Sequence, residues 1–182
     1  MGKPRGLWVA MGTVVVTAAV AVGLYWFQPW KLWVDETVRE AAPAAPAAPA
    51  GSPEAPAPAP SRSAGPVTVA RGELISHEHA TTGTVSLLRL ADGSHVLRLT
   101  DLNTSNGPDL RVWLTDAPVK EGAAGWRVFD DGAYESLGRL KGNRGDQNYA
   151  VPAGVDPAAF TSVSIWCDRF DVSFGAAELT RV

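Results

Sequence analysis

Apolar residues follow three different rhythms along this chain. From Leu7 to Phe27 they run without a charged residue and are rich in Val, Ala and Leu. That length crosses a hydrocarbon core of ~30 Å as a single helix. From Ala41 to Pro66 the rhythm disappears into Ala, Pro, Ser and Gly. From Val67 to Val182 short apolar runs alternate with Gly, Asp, Asn and Pro signals, at spacings that predict strands. The organisation expected is an N-terminal tip, transmembrane helix and juxtamembrane segment over 1–40, a linker over 41–66 and a β domain over 67–182.

Within the last region, Thr84–Leu90 and Ser94–Thr100 flank Asp92-Gly93, a hairpin signal with positive-φ turn chemistry. Asp109 to Leu114 predicts a strand with Leu110, Val112 and Leu114 on one face and Arg111 and Trp113 on the other. Further strands are expected at Leu137–Lys141, Gln147–Val151, Thr161–Cys167 and Asp171–Thr180, with a helical turn at Pro157–Phe160. Gly122–Gly125 and Gly142–Gly145 read as loops. The fold class predicted is all-β, an antiparallel sandwich or compact barrel with one core, preceded by one transmembrane helix and a disordered Ala/Pro-rich stalk. That stalk cannot bury enough apolar area to offset its ordering entropy. As extended polyproline II at ~3.1 Å per residue it would hold the domain up to roughly 80 Å from the membrane.

Charge refines the first segment and adds little elsewhere. Lys3 and Arg5 precede the apolar run and Asp35 and Glu36 follow it, while Trp26, Trp30 and Trp33 cluster at its exit as interfacial aromatics do. The expected topology is a single pass through the plasma membrane with the C-terminal domain outside the cytoplasm. A cleaved signal peptide is the alternative, since Ala19-Val20-Ala21 has a small-x-small form, although the apolar run continues past it. A net charge of −3 supplies no basic field, and no nucleic-acid partner is expected.

Candidate chemistry centres on Cys167, the single cysteine, beside Trp166. An exported domain with one cysteine has no internal disulfide. A strand places Val163, Ile165 and Cys167 on one face, so the thiol lies on or near the core side. It can be a buried small hydrophobe, half of an intermolecular disulfide, a haem or metal ligand, or a redox group. His77 and His79 flank Glu78, a spacing that in an extended strand brings two imidazoles to one side; the alternative is that both are solvated. A blue-copper set is resisted, because no histidine follows Cys167 and the two methionines, Met1 and Met11, lie in the N-terminal segment. Cys-x-x-Cys-His is absent, and non-covalent haem on His79 or Cys167 stays open. Neither haem nor copper has a specific motif here. No nucleophile elbow, Walker loop, His-Glu-x-x-His or dinucleotide fingerprint is present, and enzymatic turnover is not expected.

Four segments together resemble the DM-thirteen domain, an all-β extracellular module named for electron transfer: Arg71–Val85, Gly107–Leu114, Gly145–Pro152, and Trp166-Cys167-Asp168-Arg169-Phe170-Asp171-Val172-Ser173-Phe174-Gly175. The likeness covers about Val67 to Val182, and its last segment is the most specific. The resemblance implies a redox role for Cys167. It also matches His79 and Asp109 to motif positions, and it leaves the redox partner to another molecule. Two functions follow as expectations. One is a membrane-anchored redox module using Cys167, with Trp166 and His79 as candidate cofactor contacts. The other is an extracellular binding or scaffolding sandwich in which Cys167 fills the core.

Overall fold

Alternation along the strands divides the β region into two sheets that share one interior. The computed structural model describes residues 5–44 and 65–182. A helix, α1 (Arg5–Phe27), is followed by a 3-10 turn (Pro29–Trp33) and eleven strands. These are β1 (Thr37–Arg39), β2 (Val67–Glu73), β3 (Ile75–Ser76), β4 (Thr82–Arg89), β5 (His95–Asn103), β6 (Leu110–Thr115), β7 (Tyr134–Arg139), β8 (Arg144–Ala150), β9 (Ser162–Cys167), β10 (Val172–Glu178) and β11 (Thr180–Arg181). One sheet has the order β1-β8-β5-β4-β2-β11 and the other β3-β10-β9-β6-β7. All pairings are antiparallel except β1 with β8. The predicted all-β sandwich is the observed architecture.

The inter-sheet core takes Leu110, Val112 and Leu114 from β6, Val163, Ile165 and Cys167 from β9, and Val85, Leu87, Leu97 and Leu99 from the facing sheet. Trp113 and Trp166 point to the opposite face of their sheet and form a second apolar cluster with Ala117, Phe129 and Ala176. The segment between β6 and β7 covers that face, which is why every residue of β9 is buried. The β4–β5 hairpin turns at Gly93, φ 86°. The expected turn at Pro157 is a 3-10 turn whose first amide, Ala158 N–H, donates to the Asp156 side chain. Gly122–Gly125, read as a loop, forms another such turn.

β7 and β8 each begin three residues before the sequence expectation, and β1 was not expected at all. A three-residue strand flanked by acids carries almost no periodicity. What holds it is tertiary. Glu36 N–H donates to Asn143 Oδ1 at 2.7 Å, and Asn143 Nδ2 donates to Asp35 Oδ1 and to Thr104 O. Glu40 accepts from Asn148 N–H and pairs with Lys141 at 2.7 Å, while Asp35 pairs with Arg144. Gly142 and Gly145 make room for the strand: a Cβ on either would meet the backbone oxygen of Glu36 or Val38, and Gly145 sits at φ +91°.

β1 changes the meaning of the Ala/Pro-rich stretch. Residues 45–64, and with them the expected polyproline stalk, lie outside the described residues. Its described ends, however, lead out of β1 and into β2, two strands of one sheet. The connection from α1 to the domain therefore runs through residues 28–36.

At that junction α1 ends on Gln28, whose φ of 45° forms a left-handed cap before Pro29. Two of the carbonyls a helix end leaves without partners, Tyr25 O and Trp26 O, accept from Arg169 Nη1 at 3.2 and 2.8 Å. Phe27 stacks on Phe170 with centroids 5.7 Å apart. The window Trp8–Phe27 is long and apolar enough to cross a membrane.

Candidate functional site

Cys167 closes β9 at the centre of the five-stranded sheet, opposite Leu110 of β6 and Val172 of β10. Its relative exposure is 0 %. Burial pushes the thiol pKa above its ordinary value, opposed by the backbone N–H groups of Arg169, Phe170 and Asp109. A protonated, enclosed sulfur is a poor nucleophile and a poor metal ligand. The continuous core around it leaves no room for a porphyrin or a copper ion on that sulfur, so haem or copper held by Cys167 does not fit.

Trp166 and Cys167 are adjacent in sequence and face opposite sides of the sheet. Trp166 is 1 % exposed and stacks on Trp113 with centroids 4.9 Å apart. Trp113, 4 % exposed, stacks in turn on Tyr134 at 4.1 Å and 9°. Tyr134 is 46 % exposed. The registers explain the column: Arg111 lies opposite Trp166 and Thr115 opposite Tyr134, so each ring is the diagonal cross-strand neighbour of Trp113. The result is a continuous aromatic stack from the surface to the residue beside Cys167. Among the described residues the Trp113 Nε1–H has no hydrogen-bond partner. Sequence reading singled out Trp166 alone; the alternation of β6 had already put Trp113 on the right face, but Tyr134 fell outside any predicted strand.

A charged cluster borders the same end of β9. Arg111 Nε lies 3.1 Å from Asp168 Oδ2 and 3.5 Å from Asp109 Oδ1, and Arg139 lies 3.4 Å from Asp109 Oδ1. Asp109 Oδ1 is buried and, among the described residues, meets these two guanidinium groups without a well-aligned hydrogen bond.

The two histidines part company. β3 ends at Ser76, and His77 and His79 stand on the irregular bend that follows, so strand alternation does not align them. His77 is buried rather than solvated: its Nδ1 lies 2.8 Å from Ser173 Oγ, its Nε2 lies 3.1 Å from Lys120 O, and it stacks on Phe129. With Nε2–H donating to Lys120 O, Nδ1 is the acceptor and Ser173 the donor. His79 instead stacks on Phe174 at 3.9 Å and lines a cleft beside the 3-10 turn. Burial lowers both pKa values. The two imidazoles hold no common metal site, and among the described residues no group of three His, Cys, Asp or Glu side chains converges for one.

The fold and this site define an all-β sandwich with a buried cysteine at the end of a central strand and an aromatic column behind it. The family model described as electron transfer DM13 matches residues 73–179, more than half of the chain, and the chain belongs to that family. No curated protein and no solved structure matches it.

Proposed function

We propose that this protein is a membrane-anchored electron-transfer module, held by the Leu7–Phe27 segment with its β domain outside the cytoplasm and exchanging single electrons with a separate redox partner. The observation that carries this reading is the stack of Tyr134, Trp113 and Trp166, which joins an exposed ring to the interior. Indole and phenol rings in van der Waals contact pass an electron by short hops. Because the Trp113 N–H has no acceptor among the described residues, that ring can lose and regain an electron without moving a proton. Cys167 is the inner end. A thiol that gives up an electron must also release its proton, and Asp109, whose carboxylate acts on the sulfur while ion-paired with Arg111 and Arg139, is the acceptor this reading assigns. The electron leaves at Tyr134 to a one-electron oxidant, such as the metal centre of an envelope partner.

The test is flash photolysis on the full chain in lipid nanodiscs. A ruthenium photosensitiser is attached at Ala133→Cys, which the enclosed Cys167 does not compete to label. Transient absorption should show an electron drawn from a tryptophan through the stack, and Trp113→Phe should slow it sharply. An unchanged rate in Trp113→Phe overturns the relay.

The complete burial and raised pKa of Cys167 favour a second reading, an extracellular binding domain in which the thiol is a core residue. Under that reading Cys167→Ala alters stability alone and leaves the photochemical traces unchanged.

A further inference from the structure

Beside the end of α1 lies a cleft of about 320 Å³. Its walls are rings. Phe27 and Phe170 form one stacked pair on it and His79 and Phe174 another. It opens where Phe27 ends the helix, at the level where a bilayer-dissolved molecule would present its headgroup if α1 spans the membrane. Its volume is at the lower end of the range for small-molecule sites.

The polar groups of the cleft decide what suits it. Lys31 and Glu78 both line it, so its formal charge sums to zero. Arg169, the other nearby cation, is occupied by the carbonyls at the end of α1. An anionic lipid headgroup would meet one free cation and one carboxylate, which is poor complementarity. Among the described residues His79 makes no hydrogen bond through its ring, and its ion-pair neighbour is Glu78 at 4.0 Å. Among the described residues Lys31 makes no ion pair. The cleft thus offers flat apolar walls and unspent N–H donors without net charge. A flat, neutral ring carrying carbonyl acceptors and an apolar tail matches each of these features.

We infer that this cleft binds a membrane-dissolved quinone, its ring beside the Phe27–Phe170 pair and its carbonyls accepting from His79 and Lys31. The choice of a redox lipid among flat neutral amphiphiles rests on the electron-transfer reading above.

The chain has three histidines, so histidine-labelled protein in nanodiscs gives a reporter at His79 with His77 and His95 as internal controls. A short-chain ubiquinone is the probe. Its addition should shift the His79 ring resonances saturably and leave the other two in place. Phe27→Ala, at an exposed wall of the cleft, keeps the reporter and its packing on Phe174 and should weaken binding about tenfold, the size expected for one lost stacking contact. A dimethoxybenzene of the same ring shape, lacking carbonyls, should bind more weakly. Shifts that do not saturate, that affect all three histidines alike, or that the dimethoxy compound or a short-chain phosphatidylglycerol reproduces at equal concentration overturn the site. The two readings fail separately. If the quinone binds at His79 while Trp113→Phe leaves photochemical transfer unchanged, the relay is wrong and the site stands. If the relay holds and His79 does not respond, the site alone is wrong.

Discussion

A sulfur with no access to water keeps its proton, and at Cys167 that decides which chemistry is open. Disulfide exchange and sulfenic acid formation both begin from a thiolate that a reagent can reach. Cys167 should therefore fail to react with a thiol reagent in the native protein and react fully once denatured. Cys167→Ala should cost roughly 1–3 kcal/mol, because it leaves a void in the packed interior and strips the backbone N–H groups of Arg169, Phe170 and Asp109 of the sulfur they face, and more than Cys167→Ser, whose oxygen can accept from them. The denaturant midpoints of the two variants check this, with an unchanged slope showing that the unfolded surface is the same. The histidines add a pH dependence of definite sign. Desolvation holds His77 and His79 below their ordinary value of 6.5. Below that value the unfolded chain binds protons that the folded chain refuses. Stability is complete above pH 6.5 and is lost as pH falls toward the folded values. Denaturant midpoints measured from pH 7.5 to 5 should decline, and His77→Gln should flatten part of the decline. A flat profile in the parent protein would mean the buried imidazole is not held neutral.

At the scale of elements, the strands that sequence made legible are those whose two faces differ. β6 alternates because one face enters the inter-sheet core and the other the aromatic cluster, and β4 and β5 announce themselves through Asp92-Gly93. The position of Cys167 on the core face was legible for the same reason. β1 was not, since three residues supply no period and its stability comes from partners more than a hundred residues away, at Asn143, Arg144 and Asn148. The signal that was present lay in Gly142 and Gly145, read as loop glycines when they are the space into which β1 fits. Substituting Gly145 with Val tests that account. It combines a side-chain clash with the Val38 backbone and a positive φ, and should cost about 1–3 kcal/mol from the backbone strain alone. Hydrogen exchange at Thr37–Arg39 should accelerate selectively, whereas the amides of β9 should stay protected. Equal loss across the sandwich would show that the glycine serves the whole fold and not the seat of β1.

For the whole molecule, the placement of β1 determines how far the domain stands from the end of α1. If the Ala/Pro-rich segment were a spacer, its length would set that distance. With β1 docked, the segment instead joins two strands of the same sheet that lie four inter-strand steps apart, a gap of about 20 Å at ~4.8 Å per step. The strand directions put the end of β1 and the start of β2 toward the same end of the sheet. Deleting residues 45–56 leaves about 14 residues of linker, still able to reach roughly 40 Å when extended. Stability should rise by only about 0.6 kcal/mol, the closure entropy for halving a loop. The distance from the bilayer should not change, because residues 28–36 and the contacts of Arg169 and Phe170 with the end of α1 set it. Energy transfer between a lipid headgroup dye and a dye on Ala133→Cys in nanodiscs measures that distance directly. An unaltered efficiency in the deletion variant supports a domain seated at the membrane surface, where the cleft beside Phe27 meets bilayer-dissolved ligands. A large increase would mean that the segment acts as a tether, that β1 releases from β8 in the intact chain, and that the cleft opens with it.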